Sequence, residues 1–244
     1  MTEEKIMIRT EQIEAGRVSG HVAHAVQPRG GVLVLPTITG IDAFMRERAQ
    51  GLAEAGFTAM VWNPYPGETP PPDLPSAQAR ALKLGDEVVD TMSDCVDFML
   101  ATLKLPAVAV LGFCLGGRYA ILLAARDRRL FACVPYYPSI RLPTPPNHTL
   151  DAIALAADIS CPVHMVHAGA DRVFGPEAFA RTREALERRP AATVVQIHPG
   201  AVHSFMRAEV QSEPANAAAT RLSWPPAMAF LDACLNAPRA ARAA

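Results

Sequence analysis

Short apolar runs alternate along the chain with longer segments that have the periodicity of helices. The apolar runs cover residues 31–35, 58–62, 108–111, 131–136, 163–168 and 193–198. Continuous runs of this length are typical of strands that are buried on both faces of a parallel sheet. Near the N-terminus, alternating positions between Ile6 and Val26, among them Ile8 and Val22, predict an antiparallel pair of edge strands.

Helices are predicted between most of these strands. Asp42 is suited to cap a helix over about residues 43–55, and a long helix is predicted over about residues 76–103, after a proline-rich loop at residues 63–75. Shorter helices are predicted over about residues 150–157 and 176–188, and a terminal helix over about residues 215–235. Pro225 and Pro226 predict that the terminal helix is kinked or divided.

This alternation predicts an α/β fold with a mostly parallel, doubly wound sheet and an antiparallel N-terminal edge. The chain has 244 residues, half of them hydrophobic and 19% charged, so we expect one domain over residues 1–244 with a substantial core. The formal net charge of −1 gives no electrostatic surface for nucleic acid or an anionic membrane, and neither is expected as a partner. We expect a monomer or weak homodimer.

No apolar run approaches the length of a membrane span, and the N-terminus is acidic and polar, so we expect a cytoplasmic protein. The five cysteines are an odd number without a C-x-x-C pair. This pattern argues against a disulfide framework and against a metal site.

The segment VAVLGFCLGGRYAILLAA, residues 108–125, joins an apolar strand to an apolar helix. Gly112 and Gly116 each lie two residues from Cys114, the pattern of a nucleophile elbow, in which the turn is too tight for side chains at the flanking positions. Thiolate is intrinsically nucleophilic, and the start of the helix places N–H groups and a positive dipole end beside it. The alternative is that Cys114 is a buried structural thiol.

A thiol nucleophile needs a base within hydrogen-bond reach and an acid that orients the base. Asp171 and His203 each follow a predicted strand, at the end of the sheet where the crevice of such folds opens. Together with Cys114 they occur in the order nucleophile, acid, histidine, which is the order of the α/β-hydrolase fold. For Asp171 the alternative is a role in capping a turn or helix.

The other six histidines are weaker candidates for the base. His164 and His167 lie three residues apart in one predicted strand, so they point to opposite faces of the sheet. The remaining four lie near the end of the last strand or outside the expected loops: His198, His21, His24 and His148. The oxyanion hole is expected from the backbone N–H of Leu115 and a second N–H in the loop after residues 31–35, for which Ile38 is the candidate.

Four segments resemble the dienelactone hydrolase family: GFCLGG at residues 112–117, GIDAFMRE at 40–47, the pair Tyr136-Tyr137, and GAVHSF at 200–205. The resemblance covers about residues 20–235. It implies a single α/β-hydrolase domain without a metal or organic cofactor. It also implies a Cys114–Asp171–His203 triad that opens lactones or esters through an acyl-cysteine, with Ile38 and Leu115 as oxyanion donors.

We expect Thr37, Tyr137 and Arg207 to bind substrate, and the resemblance implies Arg207 as a contact for a substrate carboxylate. The chain departs from the family at three places. Thr37 stands where the family has a glutamate that takes part in activating the thiol, and Gln78 and Leu82 stand near a family arginine and tyrosine that bind substrate. Arg80 is close in sequence but is expected to face elsewhere.

We therefore predict a hydrolase of small esters or lactones, with a small-molecule ester or lactone as its partner. Two alternatives remain open. The same triad could transfer the acyl group to an acceptor other than water, or the chain could be a non-catalytic binding protein on a hydrolase scaffold.

Overall fold

Eight strands form one mixed sheet in the computed structural model, which describes residues 7–236; the predicted strand position Ile6 lies outside the described residues. The strands are β1 (Arg9–Ala15), β2 (Val18–His24), β3 (Gly30–Leu35), β4 (Phe57–Trp62), β5 (Val108–Phe113), β6 (Leu130–Tyr136), β7 (Val163–Ala168) and β8 (Thr193–His198). Their order is β1-β2-β4-β3-β5-β6-β7-β8. Strand β2 is antiparallel to β1 and β4, and all other neighbours are parallel. The predicted mostly parallel sheet with an antiparallel N-terminal edge is confirmed.

Helices cover both faces of this sheet. They are α1 (Ala43–Glu54), α2 (Leu74–Ala81), α3 (Val89–Asp97), α4 (Leu115–Arg126), α5 (Ala152–Leu155), α6 (Pro176–Glu187) and α7 (Pro214–Leu235). On β7, the ring of His164 packs against Phe230 of α7, whereas the ring of His167 stacks on Phe179 of α6. The two histidines therefore point to opposite faces, as predicted, and α6 and α7 lie on opposite sides of the sheet.

The prediction of one long helix over about residues 76–103 is wrong. The chain instead forms α2, a 3₁₀ turn at Asp86–Val88, α3 and a π-helical turn at Phe98–Thr102. Asp86 turns inward, where its carboxylate binds the guanidinium of Arg118 in α4 and accepts a hydrogen bond from the Leu150 N–H (2.7 Å). A buried carboxylate requires such partners, and apolar periodicity along the sequence does not reveal them.

Helix α2 begins at Leu74, inside the predicted proline-rich loop. The carboxylate of Asp73 accepts a hydrogen bond from the Ser76 N–H and caps the helix. Pro75 lies in the first turn, where its missing N–H leaves no helical hydrogen bond unmade.

Helix α7 continues past Pro225 and Pro226 as one helix, so of the two predicted alternatives, a kink or a division into two pieces, the division is wrong. Pro226 has no N–H to donate to the carbonyl of Leu222. That carbonyl instead accepts a hydrogen bond from the side-chain amide of Gln196 on β8 (3.0 Å). A tertiary contact thus replaces the hydrogen bond that the proline removes.

The buried core surrounds the central strands: all residues of β3, β5, β6 and β7 are buried. Since these strands are parallel, their carboxyl ends meet along one edge of the sheet. The loops that follow β3, β5, β7 and β8 carry Thr37, Cys114, Asp171 and His203. Within residues 7–236, no helix is long and apolar enough to cross a membrane.

Candidate active site

Cys114 lies in a sharp turn between β5 and α4, with backbone angles φ +56° and ψ −115°. A Cβ atom at Gly112 would lie 2.1 Å from the carbonyl oxygen of Gly116, and one at Gly116 would lie 2.1 Å from the carbonyl oxygen of Leu35. Both positions therefore require glycine, as expected for a nucleophile elbow. The turn presents Cys114 to a cavity although only 8% of the residue is exposed.

His203 bridges Cys114 and Asp171. Its Nε2 lies 3.0 Å from the Sγ of Cys114, and its Nδ1 lies 2.8 Å from the Oδ2 of Asp171. The Asp171 side chain is fully buried and that of His203 is 17% exposed. The structure thus brings together the three residues that the sequence selected as nucleophile, base and acid.

Backbone hydrogen bonds between two loops hold Asp171 and His203 in place. Gly169 N–H donates to the His198 carbonyl and Ala170 N–H to the Ala201 carbonyl, each over 2.8 Å. These bonds join the loop after β7 to the loop after β8, one residue before Asp171 and two residues before His203. The close approach of the two strand ends therefore sets the contact between the acid and the histidine.

Asp171 also caps the turn that follows it. Its Oδ1 accepts hydrogen bonds from the N–H groups of Val173 (2.7 Å) and Phe174 (2.9 Å), while its Oδ2 faces His203. The capping role and the role beside the histidine, which the sequence presents as alternatives, are both filled by one carboxylate. The cap fixes the carboxylate plane and so orients the oxygen that meets the imidazole.

The environment of His203 favours its protonated form. Burial alone would lower the pKa of His203, but the adjacent Cys114 and the bond to Asp171 outweigh it and raise the pKa to about 10. By contrast, burial lowers the pKa of His164, His167 and His198. Among these four histidines, only His203 has a raised pKa.

Ile38 and Leu115 lie beside Cys114 at the cavity. Both residues line the cavity, and within the described chain neither N–H donates a hydrogen bond to another protein group. Leu115 is the first residue of α4, so its N–H has no partner inside the helix. These are the two residues that the sequence analysis predicts as donors of an oxyanion hole.

The cavity above Cys114 has a volume of about 820 Å³. The proline-rich loop, α2, the loop after β6 and the loop after β8 enclose it. Within residues 7–236, His, Cys, Asp and Glu side chains form no group of three or more that could hold a metal ion.

Arg207 lines the cavity, but its guanidinium is already engaged. It forms an ion pair with Asp42, and its Nη2 lies 3.5 Å from a carboxylate oxygen of Glu209. A substrate carboxylate at this guanidinium would compete with Asp42. The resemblance implies Arg207 as a contact for a substrate carboxylate, and the sequence gives no sign that Asp42, the cap of α1, reaches residue 207.

Thr37 is connected to the same ion pair. Its hydroxyl lies 2.7 Å from that of Thr39, which donates to Asp42 Oδ2 over 2.8 Å. Thr37 lines the cavity as expected. The predicted placement of Tyr137 in the substrate site needs correction, because this side chain is fully buried and packs edge-on beneath the His203 ring, 5.5 Å between centroids. It supports the imidazole and does not line the cavity.

On α2, the side chains of Gln78 and Leu82 line the cavity, and Arg80 does not. Arg80 instead lies over the ring of Tyr65, 3.6 Å from its centroid, and donates to the Thr39 carbonyl (3.2 Å). The expectation that Arg80 faces elsewhere agrees with this placement.

Sequence reasoning missed several residues of the loop after β6 that line the cavity: Ser139, Arg141, Pro145, Asn147 and His148. His148 is a weak candidate in the sequence analysis because it lies outside the loops expected to form the site, yet it lines the cavity. The topology could have predicted that the loop after β6 lines the cavity, because every loop at the carboxyl end of a central parallel strand borders the crevice.

The family model of the dienelactone hydrolase family matches residues 18–235. A carboxymethylenebutenolidase of Rhodococcus opacus is 27% identical over 218 residues, which cover 84% of this chain and 81% of that protein. Another carboxymethylenebutenolidase, from a Pseudomonas species, is 34% identical over 135 residues, 50% of this chain and 56% of that protein.

Among solved structures, a dienelactone hydrolase-like promiscuous phosphotriesterase from metagenomic libraries has a TM-score of 0.77. It is 21% identical, and the match covers 93% of this chain and 98% of that one. At this identity the likeness shows the fold, which is that of the α/β hydrolases.

Proposed function

The chain belongs to the dienelactone hydrolase family, and from this membership we propose that it hydrolyses a carboxylic ester or lactone through a covalent acyl-cysteine. The observation that carries the proposal is the hydrogen-bonded line from Cys114 through His203 to Asp171 at the base of the cavity. Three groups in these roles, with two free N–H groups beside the nucleophile, support acyl transfer.

In the first half of the reaction, the Sγ of Cys114 attacks the carbonyl carbon, and the thiol proton resides on Nε2 of His203. The carbonyl oxygen becomes an oxyanion, which the N–H groups of Ile38 and Leu115 stabilise. The tetrahedral intermediate collapses by breaking the bond to the alcohol oxygen, and His203 gives its proton to that oxygen. In a lactone, the released alcohol stays attached to the acyl group.

In the second half, a water molecule attacks the acyl-cysteine. His203 takes a proton from the water, the same N–H groups hold the second oxyanion, and the C–S bond breaks to release the carboxylic acid. Cys114 leaves as a thiolate beside the protonated His203. Asp171 stabilises that imidazolium and keeps Nε2 directed at the sulfur throughout.

Mass spectrometry of the protein after proteolytic digestion tests this mechanism directly. Incubation with p-nitrophenyl acetate should give a burst of p-nitrophenol and an acetyl adduct on the peptide that contains Cys114. The variants Cys114→Ala and His203→Ala should each lower kcat/KM by at least roughly a thousandfold. Near wild-type turnover by Cys114→Ala would refute the assignment of the nucleophile, and absence of both burst and turnover in the wild type would favour a binding protein.

A further inference from the structure

One face of α2 presents apolar side chains to the cavity above Cys114. Leu74, Gln78, Ala81 and Leu82 all line the cavity, at the spacing that places them on one side of a helix. Leu74 and Leu82 are each 60% exposed. Leu74 is the first residue of α2, and Leu82, eight positions later, caps its C-terminal end, so this face extends over about 12 Å at the usual rise per residue.

Hydrogen bonds at its C-terminal end fix this helix over the cavity. Arg80 donates to the Thr39 carbonyl (3.2 Å), which ties α2 to the loop after β3. The side-chain amide of Asn147 donates to the Leu84 carbonyl (2.9 Å), which ties the segment after α2 to the loop after β6. The two leucines are therefore held at the cavity, and their exposure follows from the position of the helix.

The charged groups that line the cavity balance one another. Apart from His203, whose positive charge is balanced by Asp171 at 2.8 Å, two are cations, Arg141 and Arg207, and two are anions, Asp73 and Glu209. Arg207 is also paired with Asp42. The lining thus has no net charge with which to select a charged substrate.

His148, which also lines the cavity, adds no charge at neutral pH. Burial lowers its pKa to about 4, with a further contribution from the nearby Arg118. At neutral pH its imidazole is therefore an uncharged part of the wall.

We propose that the substrate is an uncharged ester or lactone with a bulky apolar group, the size of a medium-length alkyl chain or an aryl ring, that packs against Leu74 and Leu82. A volume of about 820 Å³ is sufficient for a ligand of that size. The inference rests on the proposed function, because the same Cys114 attacks the carbonyl while the apolar group occupies the face of α2.

Three p-nitrophenyl esters with one leaving group test this inference: the acetate, the octanoate and the monoester of suberic acid. The last two have the same chain length and differ by a terminal carboxylate. Because each methylene that becomes buried contributes up to about fourfold, the octanoate should exceed the acetate in kcat/KM by at least about tenfold. It should exceed the suberate monoester by a similar factor. A preference for the suberate monoester, or equal rates on acetate and octanoate, would overturn the inference.

Variants of Leu74 and Leu82 test whether these two side chains cause the preference for the octanoate. Leu74→Ala and Leu82→Ala should each lower kcat/KM for the octanoate by about fivefold to tenfold and for the acetate by less than about twofold. Leu222→Ala is the matched control, because Leu222 is 55% exposed on α7 and does not line the cavity. Equal losses on both esters would show that the leucines only stabilise the helix.

Binding of the neutral fluorescent probe N-phenyl-1-naphthylamine separates this inference from the proposed catalytic chemistry. If no ester is turned over and no adduct forms on Cys114, the proposed function fails. The apolar face is still supported if the wild type binds the probe and Leu82→Ala weakens binding at least about fivefold. Binding that neither α2 variant changes would overturn the inference on its own.

Discussion

Replacing Asp171 by asparagine should change the pH dependence of turnover in a defined direction. The pKa of His203 lies at about 10, so the wild type should lose activity on the alkaline side near that pH, as the imidazolium deprotonates. Asp171 places a carboxylate oxygen 2.8 Å from Nδ1 and favours the charged imidazolium. Since an adjacent opposite charge moves a pKa by about 1–3 units, Asp171→Asn should bring the alkaline limit to about pH 7–9.

The same substitution should also lower the maximal rate. Asparagine keeps a carbonyl oxygen for the N–H groups of Val173 and Phe174, which places its amide NH₂ opposite Nδ1 of His203. Donation from that NH₂ fixes the tautomer that carries its proton on Nε2, where it cannot accept the thiol proton. We expect kcat/KM to fall by about a hundredfold, less than for loss of the nucleophile, as for the acid of other triads.

The assay is kcat/KM for phenyl acetate from about pH 5 to about pH 10.5, a range that contains the alkaline limits expected for the wild type and for Asp171→Asn. Asp127→Asn is the matched control, because Asp127 is also buried but caps the far end of α4, where it binds Arg129 and Ser93. The alkaline limit of Asp127→Asn should equal that of the wild type. An unmoved limit in Asp171→Asn, or an equal displacement in both variants, would refute the role given to the carboxylate.

Other consequences can be measured independently. Iodoacetamide should inactivate the enzyme by alkylating Cys114 and should spare Cys95, whose pKa burial raises to about 12. Inactivation that follows alkylation of Cys95, with Cys114 unmodified, would contradict the assignment of the nucleophile. Arg207→Ala should lower turnover of acidic and neutral esters by the same factor, because Asp42 already occupies the guanidinium, whereas a loss confined to acidic esters would restore Arg207 as a substrate ligand. Asp86→Asn should lower the free energy of unfolding by about 3–5 kcal/mol in urea titrations at neutral pH, since it leaves a buried guanidinium without its counter-ion. Burial raises the pKa of Asp86, but the Arg118 guanidinium outweighs burial and lowers it. The stability due to this pair is therefore present above the ordinary carboxyl pKa and is lost as the pH falls through the lowered value. An unchanged stability of Asp86→Asn at neutral pH would contradict this account.

The parts of the site that sequence predicted are those that short-range patterns encode. The spacing of Gly112, Cys114 and Gly116 follows from the steric demands of one turn, so neighbouring residues suffice to recognise it. Asp171 and His203 follow from chain order and from the rule that crevices open at the carboxyl ends of strands. The strands of the core were predicted for the same reason, because burial on both faces leaves continuous apolar runs.

The parts that sequence did not predict depend on contacts between distant segments. The break before α3 depends on Asp86 finding Arg118, 32 residues later. Likewise, the engagement of Arg207 depends on Asp42, 165 residues earlier. In each case the local sequence is compatible with either outcome, because a polar residue does not indicate its partner.

Backbone strain around the site shows why local pattern alone could not place every side chain. Four non-glycine residues of the described chain have positive φ angles: Lys104, Cys114, Tyr137 and Ser204. Three of them surround His203, and no glycine in the sequence marks these positions. Such conformations persist only where the surroundings determine them: the Tyr137 N–H is held by the Val166 carbonyl (2.7 Å), and its ring is packed beneath the imidazole. The residues with positive φ at the ends of β5 and β6 and in the loop after β8 thus all lie around His203. The distance between Cys114 and His203 therefore depends on how the carboxyl edge of the sheet is packed.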